Sequence, residues 1–280
     1  MKILITGSKG FLGRSVVKLI NKKNNLHFII RKKNKIIIRK KNKIKKNFYC
    51  DLENLKRVKY IVNYLKPDVI INLAAEINFN TRTKKMHKVN SLVPKIFAQY
   101  CKKYNKHLIQ ASGTLVNGIH SLYNHKTKLK PLNAYGKTKL IGEKYIQNTK
   151  CKYSIIRFGG IYGRNGPSHL GINNFINQAI NKKKIIFSGN SKSKRNYIFV
   201  EDAARSIINC MIKKKFGIFY LGGETQSFKT MIEKINLILG SKKKILFKKN
   251  NELISNQIIK RNKIFKIKSF SESLKIIKCE

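Results

Sequence analysis

Apolar positions along this chain follow two rhythms, a short unbroken run and a helical spacing, which alternate from the N-terminus onward. Lys2–Thr6 (KILIT) has the length and composition of a buried strand and ends at glycine-rich Gly7–Gly13. From Phe11 to about Asn21 the residues Leu12, Val16, Val17, Leu19 and Ile20 fall at helical spacing, and Leu26–Arg31 is strand-like again. The same reading predicts a strand end at Phe48–Leu52, a helix over Leu55–Leu65 stopped before Pro67, and a buried strand at Asp68–Ala75. A long helix is expected at Asn90–Tyr104, a strand at His107–Ser112, a helix at Ala134–Asn148 and a strand at Tyr153–Phe158. Gly159–Arg195 is polar and glycine-rich, the character of a site-forming insertion. Later strands are expected at Tyr197–Val200 and Phe216–Leu221, with a helix near Asp202–Lys213 between them. The tail from Glu224 has the pattern of a helix, a Lys-rich strand and a final short helix.

Strands that alternate with helices form parallel sheets covered on both faces. The expected fold class is therefore α/β, a doubly wound parallel sheet of Rossmann type with a smaller C-terminal substrate-binding lobe. The expected division places residues 1–158 and 195–222 in a dinucleotide-binding domain, and 159–194 and 223–280 in the lobe.

Charge is the main compositional anomaly. Lys and Arg number 62 against 12 Asp and Glu, a formal net of +50, while 42% of residues are apolar, enough for a packed core. A polyanion partner is one reading. The lysines are spread through nearly every segment, however, whereas a nucleic-acid surface gathers them on one face. A compositional drift towards Lys, Asn and Ile therefore accounts for them better, and neither nucleic acid nor a membrane is expected as partner. Residues 30–37 (IRKKNKII) and 38–45 (IRKKNKIK) are a near-perfect repeat, too short for a solenoid, and are expected to form a basic exposed loop or hairpin.

Cys50, Cys101, Cys151, Cys210 and Cys279 form no CxxC pair, and none of the six histidines stands in a ligand spacing, so no metal and no disulfide framework are expected. The opening MKILITG is too short for a signal peptide, and no stretch approaches the roughly 20 apolar residues of a membrane span. A cytoplasmic chain with reduced thiols is the expectation.

Two constellations carry chemistry. In Thr6-Gly7-Ser8-Lys9-Gly10-Phe11-Leu12-Gly13, between predicted strand and helix, small residues let the backbone approach a pyrophosphate, and the helix N-terminus offers unpaired N–H groups. Its GxxGxxG spacing departs from the common GxGxxG fingerprint. In Tyr135-Gly136-Lys137-Thr138-Lys139, a Tyr and a Lys four apart share a helix face. The ammonium is expected to lower the phenol's pKa and fit Tyr135 for proton transfer at a carbinol or carbonyl.

With these pieces in order, the chain resembles the extended short-chain dehydrogenase/reductase family, the branch of nucleotide-sugar epimerases, dehydratases and reductases. The resemblance rests on TGSKGFLG at 6–13, Asp51-Leu52, KPDVIINLAAE at 66–76, Asn90, YGKTKLIGEK at 135–144, RFGGIYGRNGP at 157–167 and RNYIFVEDAAR at 195–205. It implies that Gly7, Gly10 and Gly13 line the pyrophosphate, with Phe11 and Leu12 opening the helix. It implies that Asp51, beside Leu52, meets the adenine edge, and that Ala74 and Ala75 pack beside the cofactor ribose. Tyr135 is the implied acid/base, Lys139 the implied holder of the nicotinamide ribose, and Arg195 the implied grip on a nucleotide diphosphate.

Departures from the family pattern bear on the third catalytic group and on the substrate. Counted back from Val116-Asn117-Gly118, the usual Ser/Thr slot holds Gly113, which leaves Ser112 or Thr114, with Ser112 preferred. Gly160 replaces the substrate-contacting Asn of the family. No acid stands at Leu115–Gly118, which argues against dehydration. Arg31, with Lys32 and Lys33 behind it and no acid before Asp51, favours NADP over NAD. The expected activity is an NAD(P)-dependent epimerase or reductase acting on a nucleotide-linked sugar, in a homodimer as family members commonly are. The alternatives are an NADPH-dependent reductase of a non-nucleotide carbonyl compound, and a non-catalytic member that binds cofactor or nucleic acid.

Overall fold

In the computed structural model, the described residues are 1–20, 24–31, 46–77, 83–182, 184–240, 243–248, 253–260 and 264–280. The chain opens with β1 (Lys2–Thr6), α1 (Phe11–Leu19), β2 (Asn25–Ile30), β3 (Lys46–Tyr49), α2 (Leu55–Leu65) and β4 (Val69–Asn72). Next come α3 (Thr83–His87), a π-helical turn at Lys88–Leu92, α4 (Val93–Lys103), β5 (His107–Gly113) and a 3₁₀ turn at Thr114–Val116. They are followed by β6 (Leu122–Tyr123), α5 (Ala134–Thr149), β7 (Lys152–Phe158), β8 (Ile161–Tyr162), α6 (Gly171–Asn181) and β9 (Lys184–Ser188). Then come β10 (Lys194–Arg195), β11 (Ile198–Phe199), α7 (Val200–Ile212), β12 (Gly217–Leu221), β13 (Gln226–Ser227) and α8 (Phe228–Leu239). β14 (Lys244–Lys248), β15 (Ile258–Ile259) and α9 (Phe270–Cys279) complete the order.

These elements form two compact units. The first comprises Met1–Gly118, Lys128–Arg157 and Ala204–Phe219; the second comprises Ile119–Thr127, Phe158–Ala203 and Tyr220–Glu280. Residues 119–127, 158, 195–203 and 220–222, expected in the first unit, thus belong to the second. Strand pairing explains much of the difference: β10 pairs with β13, β11 with β8, and β6 with β15, all within the second unit.

The first unit is built on a seven-stranded sheet of order β12-β7-β5-β4-β1-β2-β3. The four pairings from β3 through β2, β1 and β4 to β5 are parallel. Both faces of the central strands are covered, which is why they carry unbroken apolar runs: Ile3, Leu4, Ile5, Ile70, Ile71, Leu108 and Ile109 are fully buried. Val58, Ile61, Val62 and Leu65 of α2 and Val93, Phe97, Ala98 and Cys101 of α4 recur at helical spacing and pack into one cluster with Leu4, Ile70 and Leu108. Asn54 and Asn133 cap α2 and α5 by accepting the backbone N–H of Arg57 and Gly136. The winding reverses between β1 and β4, and in such sheets the crevice at the C-terminal strand ends beside that reversal is the ligand position.

The second unit pairs short strands: β9 with β14 and β8 with β11 in parallel, and β10 with β13 antiparallel. Phe175, Phe187 and Phe228 meet in its interior, and a capping box between Ser269 and Glu272 starts α9.

Three expected elements differ. The strand expected at Asp68–Ala75 is regular only over Val69–Asn72, because residues 73–76 leave the ladder to line a pocket. The helix expected at Asn90–Tyr104 is preceded by α3 and a π-helical turn that contains Asn90. Tyr197–Val200 is a strand only at Ile198–Phe199, since Val200 already begins α7. From residue 32 onward the duplicated octet lies outside the described residues.

Candidate active site

At the C-terminal ends of β1, β2 and β4 the first unit holds a pocket of about 490 Å³. Gly7, Ser8, Lys9 and Gly10 form one wall, Arg31, Asp51 and Leu52 another, and Ala74, Ala75 and Glu76 a third. Gly7 sits at φ +70°, a left-handed conformation, and a Cβ there would stand 2.7 Å from the backbone nitrogen of Ala74. A Cβ on Gly13 would stand 2.0 Å from the carbonyl oxygen of Gly7. Both glycines are therefore required for the turn to lie close against β4 and α1. Gly10 donates its N–H to the Gly7 carbonyl at 2.9 Å and closes the turn at the N-terminus of α1. Phe11, Leu12 and Gly13 form the first turn of α1 and lie outside the pocket lining. A backbone-walled cradle at a helix N-terminus fits the diphosphate of a dinucleotide.

A buried polar relay crosses the strand ends. Thr6 at the end of β1 donates to Asn72 at the end of β4, and Asn72 donates to the Gln110 side chain of β5 at 2.7 Å. Gln110 donates to the carbonyl of Ala111 at 2.8 Å, and the same carbonyl accepts from the Lys139 ammonium at 2.7 Å. β1 and β4 end on a polar residue after apolar ones, and in β5 Gln110 follows Leu108 and Ile109, a signal that sequence reading passed over. The relay sets the spacing of the strand ends and fixes where Lys139 of α5 points.

Asn90 performs a second structural task in the first unit. Its side-chain oxygen accepts from the Glu76 backbone N–H at 2.9 Å, and its amide nitrogen donates to the Glu76 carbonyl at 2.9 Å and to the Thr138 hydroxyl at 3.2 Å. Asn90 therefore clasps the loop after β4 to α5. Glu76 was also missed as a site residue. Its carboxylate lies 4.0 Å from the exposed Arg31 guanidinium and 3.9 Å from the Lys85 ammonium. The chain thus places an acid opposite Arg31 that the sequence, read up to Asp51, did not reveal. Asp51 lines the pocket, and its carboxylate accepts from the Glu53 backbone N–H at 3.0 Å.

Tyr135 stands in the first turn of α5, half-buried, and Lys139 follows one turn later with 5% exposure. A Cβ on Gly136 would stand 2.5 Å from the Leu115 carbonyl, so α5 starts directly against the 3₁₀ turn that carries Thr114. Ser112 is buried at the end of β5, and its hydroxyl has no hydrogen-bond partner among the described residues. Thr114 is only half-buried. The expected electrostatics of the pair need correction. Burial raises the Tyr135 phenol to about 12 rather than lowering it, and burial brings Lys139 down to about 8 against the opposing charge of Glu143. With its ammonium turned to the Ala111 carbonyl, Lys139 does not offset the desolvation of the phenol.

Arg195 belongs to the second unit, opposite Gln226 in the β10–β13 pair. Its guanidinium donates to the carbonyls of Lys194 and Ser255 and lies 5.2 Å from the Phe228 ring centre. In the same unit a Cβ on Gly160 would stand 2.4 Å from the Tyr197 ring, so that ring fills the space beside Gly160. Among the described residues no group of three or more His, Cys, Asp or Glu is placed to hold a metal, and no helix is long and apolar enough to cross a membrane.

Residues 1–227 match the family described as the RmlD substrate binding domain. A dTDP-D-glucose 4,6-dehydratase of Dictyostelium discoideum is 28% identical over 258 residues, covering 78% of this chain and 57% of its own length. The chain thus spans little more than half of that relative. A putative UDP-glucose 4-epimerase of Methanocaldococcus jannaschii is 27% identical over 268 residues, covering 89% of this chain and 86% of its own length. Two solved structures share the fold. A dTDP-glucose 4,6-dehydratase of Bacillus anthracis in complex with NAD has a TM-score of 0.80 at 19% identity, covering all of this chain and 96% of its own. A dTDP-4-dehydrorhamnose reductase of the same species in complex with NADP has a TM-score of 0.78 at 19% identity, covering 99% and 98%.

Proposed function

Since this chain belongs to the RmlD substrate binding domain family, we propose that it is an NAD(P)-dependent epimerase or reductase acting on a nucleotide-linked sugar. The observation that carries this reading is the pocket at the strand ends, where the tight glycine turn of Gly7 and Gly10 brings backbone and the N-terminus of α1 to the wall. Its relatives include sugar dehydratases and epimerases, and solved proteins of this fold hold NAD or NADP. The nicotinamide would supply hydride transfer; the remaining work falls to residues of the chain. Gly7, Gly10 and the N-terminus of α1 would hold the diphosphate, Ala74 and Ala75 the adjoining ribose, and Asp51 the adenine edge. Lys139 would hold the nicotinamide ribose. Tyr135 would move the proton of the sugar hydroxyl, and Ser112 would donate to the carbonyl oxygen.

The high pKa of Tyr135 in this structure suits the acid role in reduction: the phenol keeps its proton until a developing alkoxide takes it. NADP is the favoured form, with Arg31 as receiver of the 2′-phosphate once it leaves Glu76. A second reading, reduction of a carbonyl compound without a nucleotide, is favoured by one observation. The Tyr197 ring fills the space beside Gly160, where the family resemblance calls for a substrate-contacting Asn.

A ligand screen by thermal denaturation tests the proposal. NADP or NAD at a hundred times its dissociation constant should add about 2.7 kcal/mol of stability. A nucleotide sugar added to the cofactor-saturated protein should stabilise it further. No response to either dinucleotide would overturn the reading, and a response to cofactor but to no nucleotide sugar would favour the second.

A further inference from the structure

Lys139 is an ammonium with 5% exposure, and the hydrogen bond to the neutral carbonyl of Ala111 does not balance its charge. α5 packs against α4, the π-helical turn, the 3₁₀ turn and α3, and it lies over β5 and β7 through Lys139 and Glu143. The titratable and charged groups on these elements are Lys84, Lys85, His87, Lys88, Lys95, Tyr100, Cys101, Lys102, Lys103, His107, Lys152, Tyr153 and Arg157, joined on α5 by Tyr135, Lys137, Glu143, Lys144 and Tyr145. Glu143 is the single carboxylate in this set. It lies one helical turn beyond Lys139 and two beyond Tyr135, on one face of α5, with 1% exposure. Arg157 of β7, 4% exposed, grips it from the sheet: Nη2 donates to Oε2 at 2.5 Å and Nε to the same oxygen at 3.1 Å. A buried carboxylate held in this way has little freedom to move.

We propose that Glu143, clamped by Arg157, is a positioning residue of the active site: it supplies the buried counter-charge that keeps the Lys139 ammonium charged and aimed at the Ala111 carbonyl, in reach of a cofactor ribose. The last clause rests on the functional reading given above; the electrostatic claim stands on the fold alone. Two opposed influences act on Lys139. Burial lowers its pKa and Glu143 raises it, with about 8 as the balance. Without Glu143 the balance falls further.

The test follows Lys139 directly by NMR of isotope-labelled lysine side chains, with its resonance assigned by its loss in Lys139→Met. Glu143→Gln removes the buried carboxylate that Arg157 grips and risks the fold. Glu143→Gln/Arg157→Met removes both charges and keeps an apolar volume in place of the guanidinium. In each folded variant the Lys139 titration should move down by about one unit or more. The pH above which NADPH affinity, followed by its fluorescence, begins to fall should move down with it. A Lys139 titration unchanged in the double variant would overturn the proposal. If the titration moves but NADPH affinity ignores both it and Lys139→Met, the cofactor role of Lys139 fails while the counter-charge stands.

Discussion

Ser112 and Thr114 lie two residues apart at the end of β5, and their environments separate them. The Ser112 hydroxyl is buried without a partner among the described residues, an arrangement that costs stability unless a ligand completes it. Ser112→Ala should therefore leave stability unchanged or slightly raised while lowering kcat by about 100-fold or more, as loss of a donor to a developing oxyanion does. Thr114→Val should change kcat by less than about 3-fold. Steady-state kinetics with parallel denaturant unfolding decide, and the reverse order of effects would return the role to Thr114. Arg31 offers a second test at this scale. It pairs with Glu76 across the pocket rim, so Arg31→Ala should weaken NADPH by about tenfold and leave NADH nearly unchanged. Fluorescence titration of the two reduced cofactors measures this, and equal weakening of both would remove Arg31 from cofactor selection.

Among the elements, those with uniform burial were legible in the sequence and those defined by side-chain bonding were not. β1, α2 and β5 follow from apolar runs and helical spacing, since each buries one continuous set of residues. The glycine turn and the Tyr135–Lys139 pair were legible because their chemistry depends on local spacing. The contacts of Glu76 and Asn90 and the Thr6–Asn72–Gln110 relay were not, because they act through partners as much as 66 residues distant, which no local pattern encodes. The pKa of Tyr135 was misjudged for a related reason: spacing along α5 gives the position of the ammonium but not the depth of burial. His107 shows burial acting at the opposite end of β5. It is hydrogen-bonded to the Ser154 hydroxyl at 2.7 Å, and burial lowers its pKa to about 4. Between pH ~6.5 and ~4 the unfolded chain therefore binds a proton that the native state refuses, and about 3 kcal/mol is lost as pH falls through that window. His107→Asn should flatten this part of the stability profile measured by urea unfolding. A profile as steep as that of the unaltered protein would show that His107 is already charged in the fold.

For the molecule as a whole, the +50 charge and the family chemistry point in different directions. The pocket with its glycine turn, and α5 with Tyr135 and Lys139, belong to one unit, and three of the acids take defined posts there: Asp51 and Glu76 on the pocket, Glu143 one turn beyond Lys139 on α5. The central claim is that this unit moves a hydride between nicotinamide and sugar while Tyr135 moves the proton. Turnover of a panel of 4-keto nucleotide sugars with NADPH, followed by cofactor absorbance for the unaltered protein and for Tyr135→Phe, tests it most directly. The account predicts oxidation of NADPH with at least one member of the panel, and a rate about 100-fold to 10,000-fold lower in Tyr135→Phe with cofactor affinity preserved. Turnover that survives Tyr135→Phe at the original rate, or no turnover of any member by the unaltered protein, would contradict it.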